Sequence, residues 1–251
     1  MANLFNFELL IYSMKAMLLA AGLGTRLKPW TDKHPKALAV VNSKSLLQRN
    51  IEYLQQYDIK NVVVNVHHFA EQIVAEINKH KGWGSDVSIS DETAEVLETG
   101  GGLKKAAPYF AEEKNFILMN VDILTDLNLL DFIQQHAESN DIATLAVSRR
   151  TSSRYFLFDE QQHLCGWENI NTGEKKMTRP SEKPVALAFS GIHCISTKIF
   201  PLIKQEGKFS MVEVYLDLSK TNTIGYFNHT GNKFIDVGKP ESITKAEALF
   251  K

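Results

Sequence analysis

The run Lys15-Ala16-Met17-Leu18-Leu19-Ala20-Ala21-Gly22-Leu23-Gly24-Thr25-Arg26-Leu27-Lys28-Pro29, continuing to Pro35-Lys36, decides how the chain is read. Its first stretch, 15–21, is almost continuously apolar, the pattern of a strand buried on both faces of a parallel sheet. The strand ends at Gly22, where a glycine turn lets backbone N–H groups approach an anion without side-chain interference. Ala20 and Ala21 are small and leave room for a flat ring against the strand end. Between Gly22 and Lys36 stand four Lys or Arg and one acid, in a chain of formal net charge −1. Arg26 and Lys36 are therefore read as local cations for a polyphosphate, the first a planar fork, the second a point charge.

Outward from this loop, strand and helix patterns alternate. Residues 45–57 have helical periodicity, with Leu46, Leu47, Ile51 and Leu54 on one face. Residues 61–66, 87–90, 116–121 and 142–147 read as strands. Helices are expected through Phe69, Ile73 and Ile77, over 127–136, and over 102–110, the last starting after three glycines. This alternation predicts an α/β fold with an open, mostly parallel Rossmann-like sheet and helices on both faces. Beyond Arg150 the rhythm changes to short β-like runs at 155–158, 186–195, 223–227 and 233–237, with late helices over 210–219 and 242–250. Residues 171–183 read as a polar surface loop. No repeat or long linker divides the chain, so 14–251 is expected to form a single domain, with a first half 14–150 and a substrate-facing half 151–251.

Composition bounds the function. At 251 residues and 44% hydrophobic, the chain can bury a substantial core. Near-zero net charge provides no global field for nucleic acid or an anionic membrane, so neither is expected as a partner. Cys165 and Cys194 are too few for a disulfide scaffold, lack metal-ligand spacing, and read as core thiols suited to a reducing cytoplasm. Residues 1–13 are apolar but interrupted by Glu8, too short to span a bilayer and without a basic leader region. They read as an upstream extension before a start at Met14 rather than a functional arm.

Two generic nucleotide loops fail on the residues. A Walker A loop ends in Gly-Lys-Ser/Thr, and this one has Gly24-Thr25-Arg26; a dinucleotide fingerprint needs a third glycine, and position 27 is Leu. The longer string, with Thr31 and Pro35-Lys36, closely resembles the signature loop of sugar nucleotidyltransferases, which act on hexose 1-phosphates. Glu98-Thr99-Gly100-Gly101-Gly102 resembles the segment that frames base and sugar. Asn120-Val121-Asp122 resembles the metal-binding strand end, where Asn-Gly-Asp is commoner. Phe189-Ser190-Gly191 resembles the sugar-pocket strand, and Asp236-Val237-Gly238 the second metal element. Their order matches the family along nearly the whole chain from Met14.

The resemblance implies a GT-A-like enzyme that joins a nucleoside triphosphate to a sugar 1-phosphate and releases pyrophosphate. It makes 14–150 the nucleotide-binding half and 151–251 the sugar-binding half. Mg²⁺ is implied at Asp122 and Asp236, with Arg26 and Lys36 as catalytic cations. The nucleotide is implied at Leu19, Ala20, Ala21, Gly22, Gly24, Thr25, Thr99 and Gly100. The sugar is implied at Glu98, Asn120, Ser190 and Gly191. Arg154, in a Ser-Arg-Tyr run common in the family, is a candidate for a sugar carboxylate as well as for a structural role.

Each residue also has a plainer reading. Asp122 and Asp236 taken singly fit turn or cap aspartates, and Lys36 a solvated surface lysine. Residues 99–102 fit a helix N-terminus whose exposed amides suit an anion. Glu182-Lys183-Pro184 is similar to a thymidylyltransferase motif, but its spacing to Phe189 is shorter. His67-His68 lacks the spacing of a helical metal site, and Trp30 and Trp167 read as core. Within the family, the short chain and the run from Leu97 to Gly102 most resemble the N-acetylmuramate 1-phosphate uridylyltransferases of bacterial cell-wall recycling. Mannose-1-phosphate guanylyltransferase is the alternative. A noncatalytic sugar-nucleotide-binding homologue would be expected to lose Arg26, Lys36, Asp122 or Asp236, and all four are present.

Overall fold

The first buried run becomes β1 (Lys15–Leu19) in the computed structural model, which describes residues 14–251. Residues 1–13, read as an extension, lie outside the described residues. A small hairpin of β2 (Val40–Val41) and β3 (Lys44–Ser45) leads into α1 (Leu46–Gln55). Ser45 caps that helix by accepting the Gln48 N–H at 3.1 Å, which satisfies one of the amides a helix start leaves unpaired. There follow β4 (Asn61–Val66), α2 (Ala70–Lys79), β5 (Asp86–Asp91), α3 (Glu98–Ala106) and β6 (Asn115–Asn120). Next come β7 (Ile123–Thr125), α4 (Leu129–Glu138) and β8 (Ala143–Ser148). The second half supplies β9 (Arg154–Phe158), β10 (Leu164–Asn169), β11 (Glu174–Met177) and the long β12 (Val185–Ser196). It closes with α5 (Met211–Leu218), β13 (Ile224–Asn228), β14 (Phe234–Asp236) and α6 (Pro240–Leu249).

One ten-stranded sheet runs β11-β10-β9-β12-β6-β1-β4-β5, with β8 joined to β12 and β13. The β6-β1-β4-β5 block is parallel, as is β13 on β8. β12 pairs antiparallel with β6, β8 and β9 and so grafts the second half onto the first. Alternation along β1 covers both faces. Ala16 and Leu18 pack with Leu47 and Ile51 of α1, Ile73 of α2 and Phe132 of α4. Met17 faces the other side, with Leu103 of α3 and Val214 and Tyr215 of α5. Each fully buried side chain of this size contributes roughly 1.5–3 kcal/mol.

Two expectations are corrected. The helix expected to start at Gly102 starts at Glu98, so the three glycines lie inside its first turns. The polar stretch 171–183 contains β11, which pairs with β10 across a turn at Gly173, and β10 itself is absent from the sequence reading. β11 is exposed throughout and β10 is buried only over its first three residues, so the hydrophobic alternation that reveals a strand is weak there.

Candidate active site

Open α/β sheets gather ligands at the carboxyl ends of their parallel strands. β1 runs between β4 and β6, so Leu19 is flanked by Asn65 on one side and Asn120 on the other. The chain leaves the sheet at this point, and a cleft of about 490 Å³ opens there, within the range of small-molecule sites. Leu19, Ala20, Ala21, Gly22, Gly24 and Thr25 line it, together with Lys36, Asn120 and Asp122. Glu98, Thr99, Lys208 and Ser210 line it as well, and Asn65 reaches it from β4.

Two local devices shape the loop. Gly24 adopts φ +62°, and a Cβ there would lie 2.8 Å from Thr31 Cγ2. Its carbonyl accepts the Leu27 N–H and the Thr31 hydroxyl, each at 2.9 Å. Asn65 provides the second device. Its Oδ1 accepts the Ala20 N–H at 2.6 Å and the Ala21 N–H at 3.3 Å, and its Nδ2 donates to Glu92 Oε1 at 2.8 Å. Glu92 is buried; burial raises its pKa, and the Asn65 bond opposes that rise. Sequence reasoning misses both residues. The available signal is a polar side chain inside the apolar run of β4, since a buried amide must find partners.

The charged groups meet beside this loop. Asp122 follows β6, and Asp236 ends β14, which pairs antiparallel with β7 so that Asp236 lies across from Ile123. The Val237 N–H donates to the Asp122 carbonyl at 2.8 Å, fixing the two segments together. Lys36 Nζ pairs with Asp122 Oδ2, and Arg26 Nη2 lies 3.7 Å from Asp236 Oδ2. The Asp236 carboxyl is raised above its ordinary value, first by burial and then by the like charge of Asp122, with Lys36 and Arg26 pulling it down. The Arg26–Asp236 pair is largely solvated and contributes little to stability. Lys36 and Asp122 are each only 13% exposed, so their interaction is screened less.

The two aspartates offer hard oxygen donors, the ligand type of Mg²⁺, which binds one or two carboxylates and keeps several waters. Among the described residues no third His, Cys, Asp or Glu joins them. A cation held there would complete its shell with water and substrate oxygens.

Ser190 and Gly191 lie on β12 where the ladder to β8 slips: Phe189 pairs with Val147, but the next pair is His193 with Leu145. Such a bulge re-aims side chains. Gly191 has φ +72°, and a Cβ there would come within 2.8 Å of Asn120 Nδ2. Gly191 is thereby drawn against Asn120, while Ser190 and Gly191 are themselves buried and, like Gly100, do not line the cleft. Ser190 Oγ lies 2.7 Å from His229 Nε2. Arg150, just past β8, donates from Nη2 to the Phe189 carbonyl at 2.6 Å. Sequence reasoning misses Arg150 and His229, both of which follow strands ending at this same edge.

Other expectations are revised by placement. Gly100 is buried and does not line the cleft; its N–H and that of Gly101 donate to the Phe209 carbonyl at 2.9 and 3.2 Å. The α3 N-terminus therefore has fewer free amides for an anion than its sequence promised. The Thr99 hydroxyl accepts the Met211 N–H at 2.9 Å, tying α3 to the start of α5. The Arg154 side chain is exposed at the head of β9, with no hydrogen bond or ion pair among the described residues and no place in the cleft lining. Lys183 is exposed just before β12, where its N–H donates to Glu160 at 2.9 Å, away from Ser190 along the strand. Trp30, read as core, is 38% exposed and lies beside His34, whereas Trp167 packs against the core.

The family model for nucleotidyl transferase matches residues 15–251. The chain belongs to the nucleotidyl transferase family. This nucleotidyl transferase is 42% identical over 109 residues to the N-acetylmuramate alpha-1-phosphate uridylyltransferase of Caulobacter vibrioides, a match spanning 43% of this chain and 45% of that protein. It is 27% identical over 236 residues to the protein of the same name from Neisseria meningitidis serogroup B, spanning 94% and 98% of the two chains. Among solved structures it is similar to HddC from Yersinia pseudotuberculosis complexed with GMP-PN, with a TM-score of 0.75 and 27% identity over 95% of this chain and 100% of that one.

Proposed function

We propose that this nucleotidyl transferase moves a nucleotidyl group from UTP to N-acetylmuramate 1-phosphate and releases pyrophosphate. In this reading the reaction serves cytoplasmic recycling of cell-wall sugars. The observation that carries it is the alternation of two cations and two carboxylates, Arg26, Asp236, Asp122 and Lys36, beside the glycine loop. Similarity to two N-acetylmuramate alpha-1-phosphate uridylyltransferases supports the choice of substrates.

The sugar-phosphate oxygen attacks the α-phosphorus; a new P–O bond forms as the bond to the β-phosphate bridge breaks, and pyrophosphate carries away the electron pair. Such a reaction asks for positioning and charge neutralisation rather than a side-chain nucleophile. Ala20 and Ala21 have their amides committed to Asn65, so the donors facing phosphate are those of the glycine turn that follows. Arg26 takes the charge growing on the leaving pyrophosphate, and Lys36 exchanges Asp122 for a phosphate oxygen. Asn120 meets the sugar beside them, backed by the buried Ser190 and Gly191, with Glu98 and Thr99 at the other part of the lining. Mg²⁺ held by Asp122 and Asp236 would supply further positive charge to the phosphoryl oxygens.

Pyrophosphate release from a panel of triphosphates and sugar 1-phosphates tests the reading. UTP with N-acetylmuramate 1-phosphate is expected to give the highest kcat/KM. The likeness to a structure solved with GMP-PN favours, as second reading, a guanylyl donor, and similarity to a mannose-1-phosphate guanyltransferase supplies mannose 1-phosphate as its acceptor. A preference for GTP with mannose 1-phosphate would overturn the substrate assignment and leave the nucleotidyl transfer standing. Tight binding without pyrophosphate from any pair would mean a noncatalytic homologue.

A further inference from the structure

Arg150 is a half-buried cation with no carboxylate within ion-pair distance among the described residues. Its guanidinium carbon sits 4.6 Å from the centroid of the Phe234 ring, and Nη2 donates to the Phe189 carbonyl. Phe234 and Asp236 alternate on β14, so they share a face, and the guanidinium lies over that face. Asp236 lies within ion-pair distance of Arg26 and attracts Arg150 only from beyond that range, too weakly to offset the burial that lowers the guanidinium's pKa. No carboxylate reaches Arg150 within 4 Å among the described residues, and its buried Nε has no acceptor there. Removing a guanidinium from water without an anion is costly, and a protein retains such a group where something supplies the missing charge.

The neighbours do not supply it. Tyr155 is bound through its hydroxyl to the Ser152 N–H and the Arg150 carbonyl and brings no carboxylate. His229 is buried, touches Ser190, and is held neutral, with its pKa pushed down to about 4 by burial and then by Arg150 itself. Arg150 is thus bracketed by the sugar-side segment Phe189–Ser190 and by the Asp236 strand.

Resting on the function proposed above, we propose that Arg150, which lies just outside the cleft lining, is the anion-binding group on the sugar side of the site. It receives an oxyanion of the acceptor, either its 1-phosphate or an acidic substituent on the sugar ring. The role foreseen for Arg154 passes to a residue four positions earlier, one that the fold anchors. The aromatic ring below and the carbonyl beside it fix the plane of the fork, which suits bidentate recognition of a phosphate or carboxylate.

Arg150→Met and Arg150→Lys test this by calorimetric titration with N-acetylmuramate 1-phosphate, glucose 1-phosphate and UTP, alongside thermal melting. The Met variant keeps an unbranched side chain and removes the charge. It is expected to weaken N-acetylmuramate 1-phosphate binding about ten- to a hundredfold, the size of one lost charge-assisted contact. UTP binding should stay unchanged, and Lys should restore part of the loss. Equal loss for both sugar phosphates places the contact at the phosphate; loss confined to the muramate places it at the ring acid. Unchanged sugar-phosphate affinity in a folded variant overturns the inference, as does an equal loss of UTP affinity. If Met does not fold, Lys decides alone: a fork lost with charge retained must still weaken binding at least severalfold. Arg150-dependent binding without any turnover would refute the enzymatic reading and leave this one intact. A wild-type protein that binds neither sugar phosphate refutes the inference outright.

Discussion

Lys36 and Asp122 neutralise each other, so replacing either removes one charge and strands the other. Asp122→Asn and Asp236→Asn are each expected to abolish most turnover with the fold preserved. Arg26→Ala and Lys36→Ala are expected to lower kcat/KM by about a hundredfold or more, as when transition-state charge loses a partner. Because Lys36 and Asp122 touch, their double variant should lose less than the sum of the two singles. Steady-state pyrophosphate release at saturating Mg²⁺ is the measurement, and a near-normal rate in any single variant removes that residue from the site. Asn65→Ala makes a different claim. It frees the Ala20 and Ala21 amides and should raise KM for the triphosphate several-fold more than KM for the sugar phosphate. An equal rise in both would give Asn65 a general structural role.

At the scale of elements, the bulge in β12 sets the sugar side of the cleft. Gly191→Ala places a methyl against Asn120 at a backbone angle of φ +72°. The cost expected is about 1–3 kcal/mol, read as a lowered melting temperature together with a raised KM for the sugar phosphate. Retention of both values would show that the bulge relaxes freely. The strands and helices of the first half were legible because their cores are periodic: residues 61–66, expected as a strand, are β4, and residues 45–57 enclose α1. The cleft-lining loop was legible in the same way, as an apolar strand running into glycines. The bulge was not, because a register slip leaves no mark in composition. Arg150 was hidden for a related reason. Its environment is made by Phe189 and Phe234 from distant segments, whereas Arg154 sits in the more familiar local motif.

For the molecule as a whole, the buried imidazoles of His136 on α4 and His193 on β12, added to that of His229, make stability depend on pH. His136, bonded to Thr144, has its pKa pushed down to about 4, chiefly by burial, and burial takes that of His193 to about 3. Both folded values lie below the unfolded value of about 6.5. The native state therefore holds both rings neutral, while the unfolded chain gains protons as pH falls through that value. Stability should be full above about pH 6.5 and decline from there toward about pH 4. At roughly 1.4 kcal/mol per pKa unit, His136 alone accounts for about 3 kcal/mol across that window. Urea midpoints at a series of pH values check this, with His136→Gln expected to flatten the slope; a rise in stability on acidification would contradict it.

The position of β12 has a consequence for the chain as a string that can be cut. It comes late in the sequence, yet it lies between β6 on one side and β8 and β9 on the other. A break in the exposed turn at Gly173 would leave β6, β8 and β9 without β12, β10 without β11 and β7 without β14, and residues 174–251 carrying β12 with both edges bare. Bare edges of that kind invite aggregation. Either piece alone is expected to precipitate. Produced together, the two should interleave, and the return of pyrophosphate release would report their reunion as fragment complementation.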